Sequence, residues 1–412
     1  MGTDLIRKID RWIGQPICWL LSLICSVGRA LQHRPTDEPP RKILFIKLIE
    51  QGSTVLACRA FEAASKLVGQ DSIYILVFDS NRPILDLLGY FRPENIFTLR
   101  DDTLLGFLMD ALRVLRRVRK AGIDTTIDME GFARAPAILA FLAGAKRRVG
   151  FHRFTTEGPY RGRLLTHELT YNFYLHTSLT FLSLVEALNA PPGEVPMLKR
   201  RLAEADHRPP PFRPTQEEQE QMRQRLRRLA QRDVRRPIVL LNPNASDLLP
   251  LRRWPSDRFL ELGRRILLEH PQVTLAITGA SAEREAAKAL TAAIDPDRVL
   301  CLAGETTLRE LLVLYALSDV LVTNDSGPVH FATLTDIHVI ALFGPESPTL
   351  YRPLNPRATT IWAGLACSPC VNVFNHRHSP CRDNQCMQAI SVAEVLHAVN
   401  SILLTSHAHL PS

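Results

Sequence analysis

The sequence has no short-period internal repeat, which argues against solenoids and propellers. It has no helix-turn-helix, zinc-finger or RRM signature to accompany its basic charge, so nucleic acid is not an expected partner. It lacks the dense cysteine spacing of a disulfide-framed domain. Its 8 cysteines lie in a chain of 412 residues that can bury its own cores, and a reducing compartment is expected. No residue between Arg11 and Arg29 is charged, but this stretch sits at the lower limit for spanning a bilayer, roughly 17 residues, and Pro16 shortens it. Ser26-Val27-Gly28 is a weak cleavage site for a secretory signal. Arg7, Lys8 and Arg11 precede the apolar segment, Arg29 and Arg34 follow it, and Trp12 and Trp19 lie within it. Residues 12–28 therefore read as a helix lying in a cytoplasmic membrane interface. A signal anchor and a helix packed on the protein's own body are the alternatives.

What is present describes an ordinary globular protein, 46% hydrophobic and 22% charged. A net charge of +8 suits an anionic partner. A Pro-rich polar break at residues 35–41 sets off an N-terminal segment, 1–41. Short apolar runs at Ile43–Ile49, Ile73–Phe78, Thr125–Met129 and Arg147–Phe151 alternate with helical patterns at 103–120 and Ala135–Ala143. This gives a first doubly wound α/β domain over 42–195. Residues 196–236, rich in Pro, Arg, Gln and Glu, read as a linker holding one helix from Gln216 to Gln231. Alternation resumes with strands at Ile238–Asn242, Val273–Thr278, Val299–Leu302, Val320–Thr323 and Val339–Phe343, giving a second domain over 237–390.

The chemistry concentrates at strand ends in the second half. Thr323-Asn324-Asp325-Ser326-Gly327-Pro328-Val329-His330 is a strand end, a small-residue turn and a helix start, which suits an anion such as a diphosphate. An N-capping turn with no ligand is the alternative. Thr278-Gly279-Ala280-Ser281-Ala282-Glu283, Asn242-Pro243-Asn244-Ala245-Ser246 with Arg252-Arg253-Trp254-Pro255, and Gly304-Glu305-Thr306-Thr307-Leu308 stand at other strand ends. Ligands in open α/β sheets bind there. Trp254-Pro255 reads as core packing and a helix start.

This order of motifs resembles the family 9 glycosyltransferases, which include the lipopolysaccharide heptosyltransferases. The likeness covers roughly residues 42–400 and is strongest over 238–346. It implies a GT-B fold, two Rossmann-like doubly wound domains facing a cleft, with a C-terminal helix in 391–412 crossing back to the first domain. It also implies inverting, metal-independent transfer from a nucleotide diphosphate sugar, ADP-heptose being favoured, onto a lipopolysaccharide core or related envelope glycan. By the same resemblance Asp325, Ser326, Gly327 and His330 contact the donor diphosphate and sugar, Arg252 the phosphate and Glu283 the ribose, while Ser246 and Thr306 line the nucleotide pocket. No cofactor and no catalytic metal are expected, since cations and a helix start can neutralise the diphosphate and no Asp-x-Asp donor motif stands out.

The first half departs from the family. Where the family carries Gly-Asp and its Asp is taken as general base, this chain has Glu50-Gln51-Gly52-Ser53, with Ser53 at the Asp position. Inversion needs a group that removes the acceptor proton. Glu50 is the first candidate; Glu130, with Asp128, is the second. Lys47, Ser53, Arg134, Arg148 and His152 are the expected acceptor contacts. Arg134, Lys146, Arg147, Arg148, His152, Arg153, Arg161 and Arg163 form a basic set that suits a phosphorylated or acidic glycolipid and a membrane surface. The expected place is the cytoplasm, attached peripherally to the inner face of the inner membrane. Cys367, Cys370, Cys381 and Cys386, with His376 and His378 between them, are either a structural zinc site or reduced thiols packing a loop. An exopolysaccharide glycosyltransferase, a nucleotide-sugar epimerase and a non-catalytic nucleotide-sugar-binding scaffold remain as other readings.

Overall fold

The computed structural model describes residues 10–31, 38–131, 133–154, 158–191, 194–202, 209–234, 236–246, 249–375 and 377–407. Two compact units emerge: residues 1–207 with 373–377, and residues 208–372 with 378–412.

In the first unit, helix α1 (Gly14–Leu31) precedes β1 (Ile43–Ile46), α2 (Gln51–Leu56), α3 (Cys58–Val68), β2 (Ile73–Phe78) and β3 (Ile96–Leu99). Then come α4 (Leu104–Lys120), β4 (Thr125–Asp128), α5 (Ala135–Leu142), β5 (Arg147–Phe151), β6 (His167–Leu169) and α6 (Thr177–Glu186). The six strands are parallel, in the order β3-β2-β1-β4-β5-β6. Ile43, Leu44, Phe45 and Ile46 are all buried, so β1 is covered on both faces, as a central parallel strand must be. One face carries α4 and α5, whose Val114, Val118, Leu139 and Ala140 share a core with Leu44, Ile46 and Phe97.

Helix α1 packs along this unit through a stripe of small residues. Gly14, Cys18, Ser22 and Cys25 are buried at helical spacing, while Trp12, Ile13, Trp19, Leu20, Leu23 and Ile24 are exposed. The fit is close: a Cβ on Gly162 would fall 1.9 Å from Ser22 Oγ. The Arg163 amide donates to that same oxygen at 2.8 Å. Asp10 accepts from the amides of Arg134 and Ala135 at 2.8 and 3.0 Å, capping the start of α5. The segment thus packs one face on the protein, as the third of its sequence readings expects, and leaves the other face exposed. Among the described residues, no helix is long and apolar enough to cross a membrane.

The second unit holds α7 (Gln216–Ala230), β7 (Ile238–Asn242), α8 (Ser256–Glu269), β8 (Thr274–Ile277), α9 (Arg284–Ile294), β9 (Val299–Cys301) and α10 (Leu308–Leu317). It continues with β10 (Val320–Asn324), α11 (Gly327–Ala332), β11 (His338–Phe343), β12 (Ala358–Trp362) and α12 (Val392–His407). Its six parallel strands run β12-β11-β10-β7-β8-β9. Counted within each unit, both sheets have the order 3-2-1-4-5-6 of a Rossmann fold, which reverses between the first and fourth strands.

Two boundaries need correction. The helix expected inside a linker belongs to the second unit. Met222 and Leu226 of α7 are buried, and Arg225 and Glu218 pair with Glu310 and Arg309 of α10 at 3.1 and 2.5 Å. The helix expected to cross back to the first domain instead joins the second unit's core, through Val395, Leu396, Val399 and Leu403. Its apolar face is complementary to α8, which lies in the same unit. Strands β3, β6 and β12 are short and carry polar residues, which hid them from a search for apolar runs.

Candidate functional site

At the switch point of the second unit, the ends of β7 and β10 are joined by Asn324. Its Oδ1 accepts from the Trp254 amide at 3.0 Å, and its Nδ2 donates to the carbonyls of Pro243 and Asn244 at 2.9 and 3.2 Å. Trp254 is buried against Phe259, with its indole N–H on the Ile390 carbonyl at 3.0 Å, so the expected core role holds. This anchoring brings Arg252 beside the sheet end, its guanidinium 3.9 Å from the Asp325 carboxylate. Ser326 is the N-cap residue of α11 and its hydroxyl donates to the Asn324 carbonyl at 3.2 Å. A Cβ on Gly327 would press on the Phe331 ring at 3.1 Å, and His330 is buried in α11.

The end of β8 closes on the same side of the sheet. Asn242 Nδ2 donates to Thr278 Oγ1 at 3.1 Å. A Cβ on Gly279 would come within 2.7 Å of Asn244 Nδ2 and 3.0 Å of Glu283 Oε2, so this floor admits no side chain without rearrangement. Glu283 Oε2 accepts from the Ala280 amide at 2.7 Å, which gives the residue expected on the ribose a capping role as well. Gly304 has φ +71°, and a Cβ there would meet the Ser281 backbone at 2.9 Å. Thr306 is half-buried and Ser246 is exposed. Asp295-Pro296-Asp297 has the Asp-x-Asp spacing, but it lies before β9, where Asp295 Oδ1 accepts from the amides of Asp297 and Arg298 at 3.1 Å each. It is a turn at the opposite end of the strand. Sequence reasoning did not single out Glu346, buried three residues beyond β11; its signal was a carboxylate after a Gly-Pro at a strand's carboxyl end.

The switch point of the first unit lies between β1 and β4. Lys47 Nζ pairs with Glu130 Oε1 at 3.1 Å, and the Ile49 amide donates to the same oxygen at 3.1 Å. Both side chains are almost fully buried. Asp128 pairs with Arg161 at 3.2 Å, sealed from solvent, and burial pushes its carboxyl up to about 6 against the pull of the Arg161 guanidinium. Glu130 and Asp128 are therefore built into the unit's interior.

Glu50 is different. It stands just before α2 with φ 67° and ψ 88°, a left-handed backbone that a residue with a Cβ seldom adopts. The Ser53 and Thr54 hydroxyls donate to its carbonyl at 3.0 and 3.1 Å and fix the turn. Ser53, at the family's Asp position, is buried on that structural bond. The Glu50 carboxylate retains about 25% exposure and pairs with Arg377, which belongs to the same unit.

The expected acceptor contacts divide sharply. Arg134 is buried, bonded to Asp10 at 3.2 Å and the Tyr160 carbonyl at 3.0 Å. Arg147 and Arg161 are buried too. The basic set is thus not one open patch, because several of its guanidinium groups are consumed in holding loops together. Arg148 bonds the carbonyls of Leu164 and Ala145 at 2.6 Å each and lies over the Phe141 ring. His152 lines a small surface pocket with Arg153, Tyr171, Gly131 and Phe374. Its ring is 3.8 Å from Glu168, and burial holds its pKa below the ordinary histidine value. Cys367, Cys370, Cys381 and Cys386 form no group of three potential ligands among the described residues, and His376 lies outside those residues. Burial, with Cys370, Cys381 and Cys367 nearby, pushes the Cys386 thiol up to about 11.

The profile of glycosyltransferase family 9 (heptosyltransferase) matches residues 111–378. Lipopolysaccharide heptosyltransferase 2 of Salmonella typhimurium is 36% identical over 129 residues, 31% of this chain and 36% of that relative. The chain thus spans about a third of the length of this curated relative. Among solved structures, Escherichia coli ADP-heptose lipopolysaccharide heptosyltransferase II matches with a TM-score of 0.69 at 20% identity, over 89% of this chain and 99% of that one. An Escherichia coli heptosyltransferase solved with ADP-2-deoxy-2-fluoro heptose matches with a TM-score of 0.60 at 12% identity, over 87% and 99%. These likenesses show the GT-B fold of two Rossmann-like domains.

Proposed function

The chain belongs to glycosyltransferase family 9, and on that premise we propose that it moves a heptose from ADP-heptose onto a lipopolysaccharide core sugar, with inversion and without a metal. The observation that carries the donor half is the Arg252–Asp325 pair at the switch point, held there by Asn324 beside the tight Gly279 floor. Asp325 orients the guanidinium, and Arg252 offers its remaining donors to the leaving diphosphate. Thr306 and Glu283 take the nucleoside, and Ser326, Gly327 and His330 take the diphosphate and sugar.

Glu50 is the proposed general base. Its strained backbone and partly exposed carboxylate distinguish it from Glu130, which is locked by Lys47. In the transfer, the acceptor hydroxyl gives its proton to the Glu50 carboxylate. Its oxygen forms a bond to the anomeric carbon from the face opposite the diphosphate. The anomeric carbon–oxygen bond to the diphosphate breaks, and ADP leaves with the electron pair. Arg377 is a positioning residue that holds Glu50. His152 is retained as an acceptor contact, whereas Arg148 stands at the amino end of β5, bonded to the Ala145 carbonyl and away from the switch point; a phosphorylated or acidic glycolipid is the acceptor class. The open apolar face of α1, with Trp12 and Trp19, rests in the headgroup region of the membrane where such an acceptor resides.

A thermal-shift series with ADP, UDP, GDP and CDP, each with and without EDTA, tests the donor site. Stabilisation by ADP alone, unchanged by EDTA, is expected. No shift with any diphosphate would overturn the donor assignment and favour a scaffold.

A further inference from the structure

We propose that the exposed apolar ridge of α4 is a second membrane contact, which together with α1 seats the first unit on an anionic bilayer. This rests on the membrane-seated reading given above and extends it to a part of the chain that carries no targeting signal. Helix α4 buries Ala111, Val114 and Val118 in the unit's core. Its opposite side exposes Leu104, Leu105, Leu108, Met109 and Leu112, with Leu105 at 68% and Leu112 at 58%. These positions fall at i, i+1, i+4, i+5 and i+8, which makes them one stripe. No packing within the unit accounts for a row of five large apolar side chains in solvent.

The same rows continue into charge. Arg113, Arg116, Arg117, Arg119 and Lys120 are all exposed in the last two turns, Arg116 and Lys120 in line with Leu104, Leu108 and Leu112. The helix's single acidic residue, Asp110, is buried and bonded to Arg100 and Arg113 at 2.8 and 2.6 Å. The exposed side is therefore apolar over its first half and cationic over its second. An anionic bilayer offers acyl chains to the first and headgroups to the second. A second copy of this chain would bring like charges together on the same ridge, which disfavours self-association.

Helix α5 joins the two contacts. It packs against α4 through Leu139, Ala140 and Ala143, and against α1 through Ala137, Ile138 and Phe141, which meet Cys18 and Leu21. Helix α5 thus lies between α4 and α1, each of which leaves an apolar stripe exposed.

The test is co-sedimentation of the full chain with phosphatidylglycerol vesicles and with phosphatidylcholine vesicles. Four proteins are compared: wild type, Leu105→Gln/Leu108→Gln/Leu112→Gln, Arg116→Glu/Lys120→Glu, and Trp12→Ser/Trp19→Ser. An unchanged melting temperature shows that each variant is folded. The α4 variant is expected to bind phosphatidylglycerol vesicles about tenfold more weakly than wild type, or worse. Arg116→Glu/Lys120→Glu, which leaves the apolar stripe intact, is expected to lose binding to phosphatidylglycerol and not to phosphatidylcholine. If both α4 variants bind like wild type while the tryptophan variant does not, the α4 contact is overturned and the α1 reading stands. If only the tryptophan variant binds like wild type, the α4 contact stands and the α1 reading fails. Conversion of a wild-type dimer to a monomer by the leucine variant, with vesicle binding unchanged, would make the ridge a self-contact and overturn the proposal.

Discussion

Lys47 and Glu130 face one another at 3.1 Å at the end of the first unit's sheet, both sealed from solvent. Removing one charge leaves the other buried without its counter-ion, which costs about 3–5 kcal/mol in comparable sites. Glu130→Gln should therefore lower stability by about 3 kcal/mol, read by chemical denaturation. A Glu130→Gln protein that keeps its stability and loses turnover would instead place Glu130 in the chemistry.

Asn324 spends three hydrogen bonds on holding the ends of β7 and β10 together. Asn324→Ala leaves the Trp254 amide and two carbonyls in search of partners, at about 1–3 kcal/mol for a buried unsatisfied group. Stability should fall by about 2–3 kcal/mol, and ADP stabilisation should shrink because Arg252 loses its anchor. Denaturation with and without ADP measures both effects.

Gly279→Ala places a methyl group against Asn244 and Glu283. Both are ends of flexible side chains, so the fold should survive with a loss of about 1–2 kcal/mol. On the proposed donor site these side chains shape the nucleotide pocket, so calorimetry should show weaker ADP binding.

The strands and strand-end motifs of the second unit were largely readable, because five of its six strands are apolar runs that lead into turns with Gly, Ser or Asn. The Glu50 turn was readable only as a departure. Its distinguishing properties, the left-handed backbone of Glu50 and the partnership with Arg377 more than 300 residues later, depend on tertiary placement. The basic set misled for a related reason. Sequence shows that Arg134, Arg147 and Arg161 are charged, but not that each is buried within the unit. Helix α12 was misplaced because an apolar face does not declare which core will receive it.

His167 titrates in a way that should be visible in stability. Burial, with Arg147 and Arg148 nearby, pushes its pKa down to about 4 from the ordinary 6.5. Between these values the unfolded chain binds a proton that the folded chain does not, so stability is full above pH 6.5 and is lost as the pH falls toward 4. Melting curves across this window should fall less steeply for His167→Gln than for wild type. Parallel curves would contradict a depressed histidine.

The measurement closest to the centre is ADP release from ADP-heptose by wild type and Glu50→Gln, in EDTA, with and without a lipopolysaccharide-core acceptor. Wild type should release ADP only when acceptor is present. Glu50→Gln should retain its ADP thermal shift while turnover falls by about 100-fold or more, the usual contribution of a positioned base. Undiminished turnover in Glu50→Gln, or a wild type that is silent until a divalent metal is added, would contradict metal-independent transfer with Glu50 as the base.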